Sequence, residues 1–255
     1  MKNMLVNNNI LGFDVVSNDI GSVIDYGLSD SAFTKVINTI NPHSYVEQKK
    51  DKGFKAALKS SDVLVPDGSG IVLAFKLLHN LNVNKIAGFD LFNATCQRLN
   101  ENAGKNAKVF FLGSTEAVLE KMESRMKQDY PNIEVHSYSP PYKSKFNDED
   151  IDNFVDVVNA FMPDVLFVGL TAPKQEKLIL EMREKLNAKF AAGIGAVFDF
   201  YAGTVRRPAK VWIKLHLEWL VRLLGEPKRL WRRNFLSTPI FLKDLLLAKF
   251  KELLK

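Results

Sequence analysis

The chemistry available to this chain is concentrated in short loops that follow apolar runs. In VPDGSGIV, Asp67 ends such a run and precedes Gly68 and Gly70, so the backbone can turn sharply and approach a ligand. A carboxylate there can take a proton or bind a hydroxyl, although Asp-Gly is also an ordinary turn dipeptide. INTINPH sets Thr39 and Asn41 at the end of another strand-like run, which Pro42 stops. In GLTAPKQE, Pro173 opens a helix and Gln175 can donate to a phosphate or sugar oxygen beside the helix amino end. Plain helix capping, with Glu176 near the positive dipole end, is the competing reading. GIGAVFDFYAG begins like a dinucleotide-binding loop but carries Phe198 in place of the last glycine. There Asp199, beside Phe198 and Tyr201, suits a nucleoside, with the carboxylate on polar edges and the rings against the base.

Charge is distributed unevenly. Residues 205–255 hold 13 Lys and Arg against 4 Asp and Glu, a balance of +9 in a chain of +6, so residues 1–204 sum to −3. A basic, Trp- and Leu-rich tail on a mildly acidic body points to an anionic partner: a membrane surface, a phosphate-rich substrate or a nucleic acid. Arg222, Arg229 and Arg232 are spaced to share one helix face, although Pro227 interrupts the segment. Converging guanidiniums suit a pyrophosphate, which they grip bidentately, whereas solvated arginines need no ligand. The final STPIFLKDLLLAKFKELLK reads as a helix capped by Ser237 or Thr238, with Leu242, Leu245, Leu246 and Phe250 on an apolar face. It either packs on its own domain or lies in a membrane interface, and its lysines favour the interface.

Other features exclude function classes. Asp148 to Asp150 match a bare D-x-D pattern, but they open an amphipathic segment whose amino end favours acids, so no metal site is assigned. His43, His79, His136 and His216 are scattered, and Cys96 is the only cysteine, which fits a reducing compartment and a packing role. No charged start followed by an apolar stretch marks a signal peptide, and no run approaches the ~18 apolar residues of a membrane span.

The elements that hold these loops follow from periodicity. With 46% apolar and 25% charged residues over 255 positions, the chain is of globular type with length for one large core and an appendage. Apolar runs (FTKVINTI, SDVLVP, KVFFLG, IEVHSYS, DVLFVGL, KFAAGIGAVF) alternate with helical patterns, including TEAVLEKMESRMKQDY, IDNFVDVVNAFM and KQEKLILEMREKLN. This predicts an α/β fold, a Rossmann-like and mainly parallel sheet flanked by helices. Residues 1–204 are expected to form the α/β body and residues 205–255 a basic helical appendage. Gly113 closes one strand, with Ser114 or Thr115 capping the next helix. Gly113, the Gly169–Gln175 loop and the Gly193–Asp199 loop should line one edge, where doubly wound sheets bind ligands.

In combination, PDGSG, G-x-T-x-P-K-Q-E, G-I-G-A-V-F-D-F-x-A-G, the following R-x-P, and E-W-L-x-R-L-x-x-E-P-x-R-x-x-R resemble the WecG/TagA/CpsF glycosyltransferase family, over roughly residues 10–235. The resemblance implies an inverting, metal-independent enzyme without a cofactor. Such an enzyme moves N-acetylmannosamine, its uronic acid or glucose from a UDP-sugar to an undecaprenyl-diphosphate-linked sugar, in teichoic acid, capsule or exopolysaccharide synthesis. It implies Asp67 as general base with Thr39 and Asn41 in the family's Thr-x-Asn position, and Gly113, Gln175 and Asp199 around UDP. Arg222, Arg229 and Arg232 match the basic residues of an appendage that closes the active site and joins it to the cytoplasmic face of the membrane. Where the family usually has Arg before G-x-D-L, this chain has Lys85, which keeps the charge and loses the planar fork. The expected partners are therefore donor, lipid-linked acceptor and anionic membrane surface, without a specific nucleic acid and with room for a homo-oligomer. The competing readings are a nicotinamide or flavin oxidoreductase, disfavoured by the broken fingerprint, and nucleic-acid binding through the tail, which salt-dependent, sequence-selective binding would support.

Overall fold

The six apolar runs pair side by side into one parallel sheet in a computed structural model of the chain, which describes residues 5–101, 106–205, 212, 218–225 and 231–254. These strands are β3 (Lys35–Ile40), β4 (Val63–Pro66), β5 (Ala107–Gly113), β6 (Ile133–Tyr138), β7 (Val165–Gly169) and β8 (Phe190–Gly193). Their spatial order is β4-β3-β8-β7-β5-β6. They are preceded by an antiparallel hairpin, β1 (Asn7–Ile10) and β2 (Phe13–Val16), which the sequence reading did not anticipate.

Helices join the strands: α1 (Ile20–Leu28), α2 (Pro42–Glu47), α3 (Lys52–Lys59), α4 (Ser69–His79), α5 (Gly88–Glu101), α6 (Glu116–Asp129), α7 (Asp148–Phe161), α8 (Lys174–Met182) and α9 (Val197–Ala202). Strand residues alternate between faces. Val109 and Phe111 of β5 and Val165 and Phe167 of β7 join a core with residues of α1, α5, α6 and α9. Phe110, Leu112, Leu166 and Val168 join a second core with α7 and α8. Burial on both faces explains why these strands read as continuous apolar runs. A third cluster packs the hairpin, α2, α3 and α4 against Ile40 and Leu64.

Local chemistry sets where helices begin. Asn41 does not simply end a strand before a proline stop. Its Oδ1 accepts from the backbone of His43 and Ser44, both at 3.0 Å, and Pro42 occupies the first helical turn. Asn147 caps α7 with Asp150 in a reciprocal capping box, and Lys143 pairs with Asp150 at 2.7 Å, so this part of the D-x-D pattern serves the helix start. Thr115 occupies the cap position of α6 in an extended conformation, but its side chain makes no capping bond.

Beyond residue 205 the described segments include α10 (Glu218–Gly225) and α11 (Thr238–Leu253), the latter entered through a π-helical turn at Arg233–Ser237. The expected cap at Ser237 or Thr238 is not made. Ser237 is itself helical (φ −71°, ψ −41°), so the turn before it continues into α11 and leaves no free amino end to cap. Phe241 and Leu245 are fully buried against α2 and α4, with Leu242 partly buried, whereas Leu246 and Phe250 from the expected apolar face are exposed. Asp244 clamps the helix to α2 by accepting from the Tyr45 hydroxyl at 3.0 Å and pairing with Lys49. Among the described residues, no helix is long and apolar enough to cross a membrane.

Candidate active site

The carboxyl ends of all six parallel strands open on one edge, and their loops surround a cleft of about 1310 Å³. Thr39, Asn41, Asp67, Lys85, Gln175 and Asp199 all line it. Gly113 is not among the described lining residues; it sits at the strand end below Ser114, Thr115 and Glu116, which are. Its φ is +125°, and a Cβ there would lie 2.7 Å from the carbonyl oxygen of Gly169, so only glycine lets β5 and β7 end this close together. Arg232 is exposed beside the Trp231 ring, 5.9 Å from its centroid, and is not among the described lining residues. Arg222 falls on α10, and Arg229 lies outside the described residues.

At the β3–β4 end of the cleft, Asn41 Nδ2 donates to Asp67 Oδ2 at 3.3 Å. The capping role of Asn41 fixes this orientation: with Oδ1 committed to two helix amides, the amide NH₂ must face the carboxylate. The Asp67 backbone is held in turn by its N–H donating to the Ile40 carbonyl at 2.9 Å. Thr39 pairs with Val65 across the two strands, so hydroxyl, amide and carboxylate all belong to rigid strand ends.

In the middle of the cleft, Gln175 is buried and accepts from the Gly195 N–H at 2.9 Å, which ties the β7 loop to the β8 loop. A Cβ on Gly193 would lie 2.9 Å from the Gln175 amide, so the glycine makes room for this clamp. Gln175 Nε2 donates to Glu176 Oε1 at 2.9 Å, and Glu176 Oε2 is buried without a partner. Burial pushes the Glu176 carboxyl above its ordinary 4.5, and the Gln175 hydrogen bond opposes this only in part. The sequence marks Glu176 as a helix-dipole acid; its burial on the cleft carries no local signature.

The nucleoside arrangement expected around Asp199 is corrected by the fold. Asp199 and Phe200 line the cleft, but Phe198 and Tyr201 are 1% and 2% exposed and belong to the core. Phe198 stacks edge-on against Phe111 at 5.4 Å, and the Tyr201 hydroxyl donates to Asp129 at 3.0 Å. The cause is helical periodicity: α9 turns Phe198 and Tyr201, three residues apart, onto one inward face and Asp199 away from it.

Cationic groups face the cleft as well. Lys85, Lys143 and Lys174 line it, and burial lowers the Lys174 pKa from its ordinary 10.5, with Asp150 opposing. The helices α4, α6 and α8 start at the cleft without side-chain capping bonds, so their first-turn N–H groups and positive dipole ends are directed at it. The loop from Ser139 to Phe146 forms the wall beyond β6, which sequence reasoning did not single out, although Pro140-Pro141 marks a stiff segment. One more long-range contact ties the site to the C-terminal segment: His43 Nδ1 lies 2.9 Å from Ser237 Oγ. Among the described residues, no group of His, Cys, Asp and Glu is arranged to hold a metal ion.

Comparison with known proteins matches most of the chain. Residues 9–254 match the model described as the glycosyl transferase WecG/TagA/CpsF family. Similar proteins carry the name N-acetylglucosaminyldiphosphoundecaprenol N-acetyl-beta-D-mannosaminyltransferase. One from Bacillus spizizenii is 36% identical over 210 residues, covering 82% of this chain and 78% of the relative. One from Bacillus subtilis is 33% identical, covering 88% and 85%, and one from Staphylococcus aureus is 30% identical, covering 84% and 81%.

Proposed function

From the premise that this chain belongs to the WecG/TagA/CpsF family and is a glycosyltransferase, we propose that it moves a sugar from a UDP donor to a polyprenyl-diphosphate-linked sugar. By analogy with the named relatives, the transferred sugar is N-acetylmannosamine and the acceptor sugar N-acetylglucosamine; the family resemblance adds assembly of a cell-surface polymer such as teichoic acid. The observation that carries the reading is the Asn41–Asp67 pair at 3.3 Å on the cleft wall, with Lys85 and Thr39 on the same cleft.

In this mechanism Asp67 takes the proton of the acceptor hydroxyl as its oxygen attacks the anomeric carbon. The bond from that carbon to the diphosphate breaks on the opposite face, UDP leaves with the electron pair, and the configuration inverts. Asn41 aims the carboxylate, and general-base catalysis of this kind contributes ~10²- to 10⁴-fold. Fixed positive charge answers the charge growing on the departing diphosphate, so no metal is required. Lys85, the uncapped helix starts and the appendage arginines Arg222, Arg229 and Arg232 supply it in this reading. Gln175 and Asp199 hold the UDP side of the cleft, with Gly113 keeping the strand ends close.

The chain works at the cytoplasmic face of the membrane in this reading, attached by α11. Buried Phe241 and Leu245 fix the helix to the body, while Leu246, Leu247, Phe250 and Leu253 are exposed among lysines, the composition of an interfacial helix on anionic lipid. The test is UDP release from UDP-N-acetylmannosamine, its uronic acid and UDP-glucose, with and without polyprenyl-diphosphate-linked N-acetylglucosamine, in EDTA. Acceptor-dependent release from one donor that survives chelation supports the reading; release requiring an added divalent metal, or independent of acceptor, contradicts it.

A further inference from the structure

The mechanism as drawn leaves one buried acid without a part. Glu176 lies in the first turn of α8, lines the cleft and is 5% exposed. Leu178, Ile179 and Met182, which α8 also buries, are apolar and belong to the core that holds Leu166 and Ala191. An apolar side chain at 176 would pack equally well without the desolvation that a carboxyl suffers there. The neighbouring lysines are engaged elsewhere: Lys177 pairs with Asp51 at the start of α3, and Lys174 donates to the Lys143 carbonyl. What Glu176 holds is Gln175. Its Oε1 accepts from Gln175 Nε2 at 2.9 Å, and its Oε2 has no hydrogen-bond partner among the described residues.

We propose that Glu176 is the positioning residue for Gln175, the buried acceptor that orients its amide toward the donor. The inference rests on the UDP-sugar reading, in which Gln175 holds the UDP side of the cleft, and deepens it. Hydrogen-bond chemistry sets the orientation. A peptide N–H can only donate, so the Gly195 N–H takes Gln175 Oε1 at 2.9 Å, and the amide NH₂ must point the other way, at Glu176. An ionised carboxylate can only accept, so it reinforces this orientation and opposes the flipped one; a protonated carboxyl still keeps one accepting oxygen. Glu176 takes one of the two Nε2 hydrogens and leaves the second for a donor oxygen in the cleft. Two anchors therefore hold the amide, one on the β8 loop and one on α8, and little rotamer freedom is left to lose when the donor binds.

The test measures UDP affinity by calorimetry, turnover and unfolding midpoints for the wild-type chain, Glu176→Met, Glu176→Gln, Gln175→Ala and the double variant Gln175→Ala/Glu176→Met. Methionine matches glutamate in length but is a weak acceptor, so UDP affinity should fall by roughly 2- to 13-fold, the worth of one hydrogen bond. The midpoint of Glu176→Met should stay near wild type, because a buried acid leaves together with the bond it makes. Glu176→Gln, whose amide oxygen can accept, should recover most of the lost affinity. In the Gln175→Ala background Glu176→Met should have no further effect, since the residue acts through Gln175. Losses that add across the two positions overturn the assignment, as does unchanged UDP affinity in Glu176→Met, or a fall in affinity and midpoint shared by the Met and Gln variants. Turnover lost in Glu176→Gln with UDP affinity intact also overturns it, in favour of proton transfer by the carboxyl itself. A wild type that does not bind UDP removes the donor reading and this inference together, whereas every other outcome leaves the donor reading in place.

Discussion

The two faces of α11 should respond unequally to truncation. Phe241 has no exposed surface, packs edge-on against Tyr45 at 5.3 Å and 83°, and has its ring edge 3.5 Å from where a Cβ on Gly70 would stand. Phe241→Ala removes this packing and leaves a cavity, at a cost of ~3–5 kcal/mol. With ~2–4 °C lost per kcal/mol in domains approaching this size, the midpoint should fall by roughly 6–20 °C. The loss should reach catalysis too, because Phe241 rests on the helices whose amino ends carry Asn41 and follow Asp67. Turnover should therefore drop while UDP affinity holds. Leu246→Ala, at a side chain 52% exposed, should change stability by no more than ~0.5 kcal/mol. Urea unfolding monitored beside turnover makes the comparison. A Phe241→Ala cost below ~1 kcal/mol, or a Leu246→Ala cost equal to it, would refute the assignment of the two faces.

Four further outcomes follow from the same geometry. Because burial holds the Glu176 carboxyl above 4.5, its protonated form stabilises the fold below that value, and this contribution is lost as pH rises through the raised pKa; Glu176→Gln should match wild type in acid and exceed its stability at higher pH, read by urea midpoints across pH. Burial opposes ionisation of Asp244, but hydrogen bonds from Lys49 and Tyr45 outweigh it and hold the carboxyl below 3.8. The stability from that clamp is present above 3.8 and lost as pH falls through the lowered pKa, so Asp244→Asn should cost ~1 kcal/mol near neutrality and nothing in acid. Gly193→Ala sets a Cβ 2.9 Å from the Gln175 amide and should raise the Kd for UDP by displacing the Gln175–Gly195 clamp, measured by calorimetry. Replacing Leu246, Leu247 and Phe250 together by Ser should abolish cosedimentation with anionic vesicles while leaving folding intact.

How much of this was legible in the sequence depends on the range of the interaction. β5 and β7 announced themselves because they are buried on both faces and therefore read as VFFLG and VLFVG. The hairpin was silent, since NNNI and FDVV are four residues each and one is mostly asparagine. Asp67, Asn41 and Gln175 stand out through their strand-end loops and line the cleft, but the burial of Glu176 does not, because an acid in a first helical turn reads as a dipole partner. Phe198 and Tyr201 were misjudged because loop composition does not tell which face a short helix turns inward. The last helix was ambiguous because both of its faces are apolar. Only the partners of Phe241 and a His43–Ser237 contact 194 residues apart in sequence decide which face is buried.

The claim at the centre of this account is that Asp67 removes the acceptor proton. It is tested most directly by turnover and UDP affinity measured together on Asp67→Asn, an isosteric change beside Asn41. The account predicts acceptor-dependent UDP release reduced by ~10²- to 10⁴-fold with UDP affinity and unfolding midpoint unchanged. Turnover within a few-fold of wild type would contradict it and remove Asp67 from the chemistry.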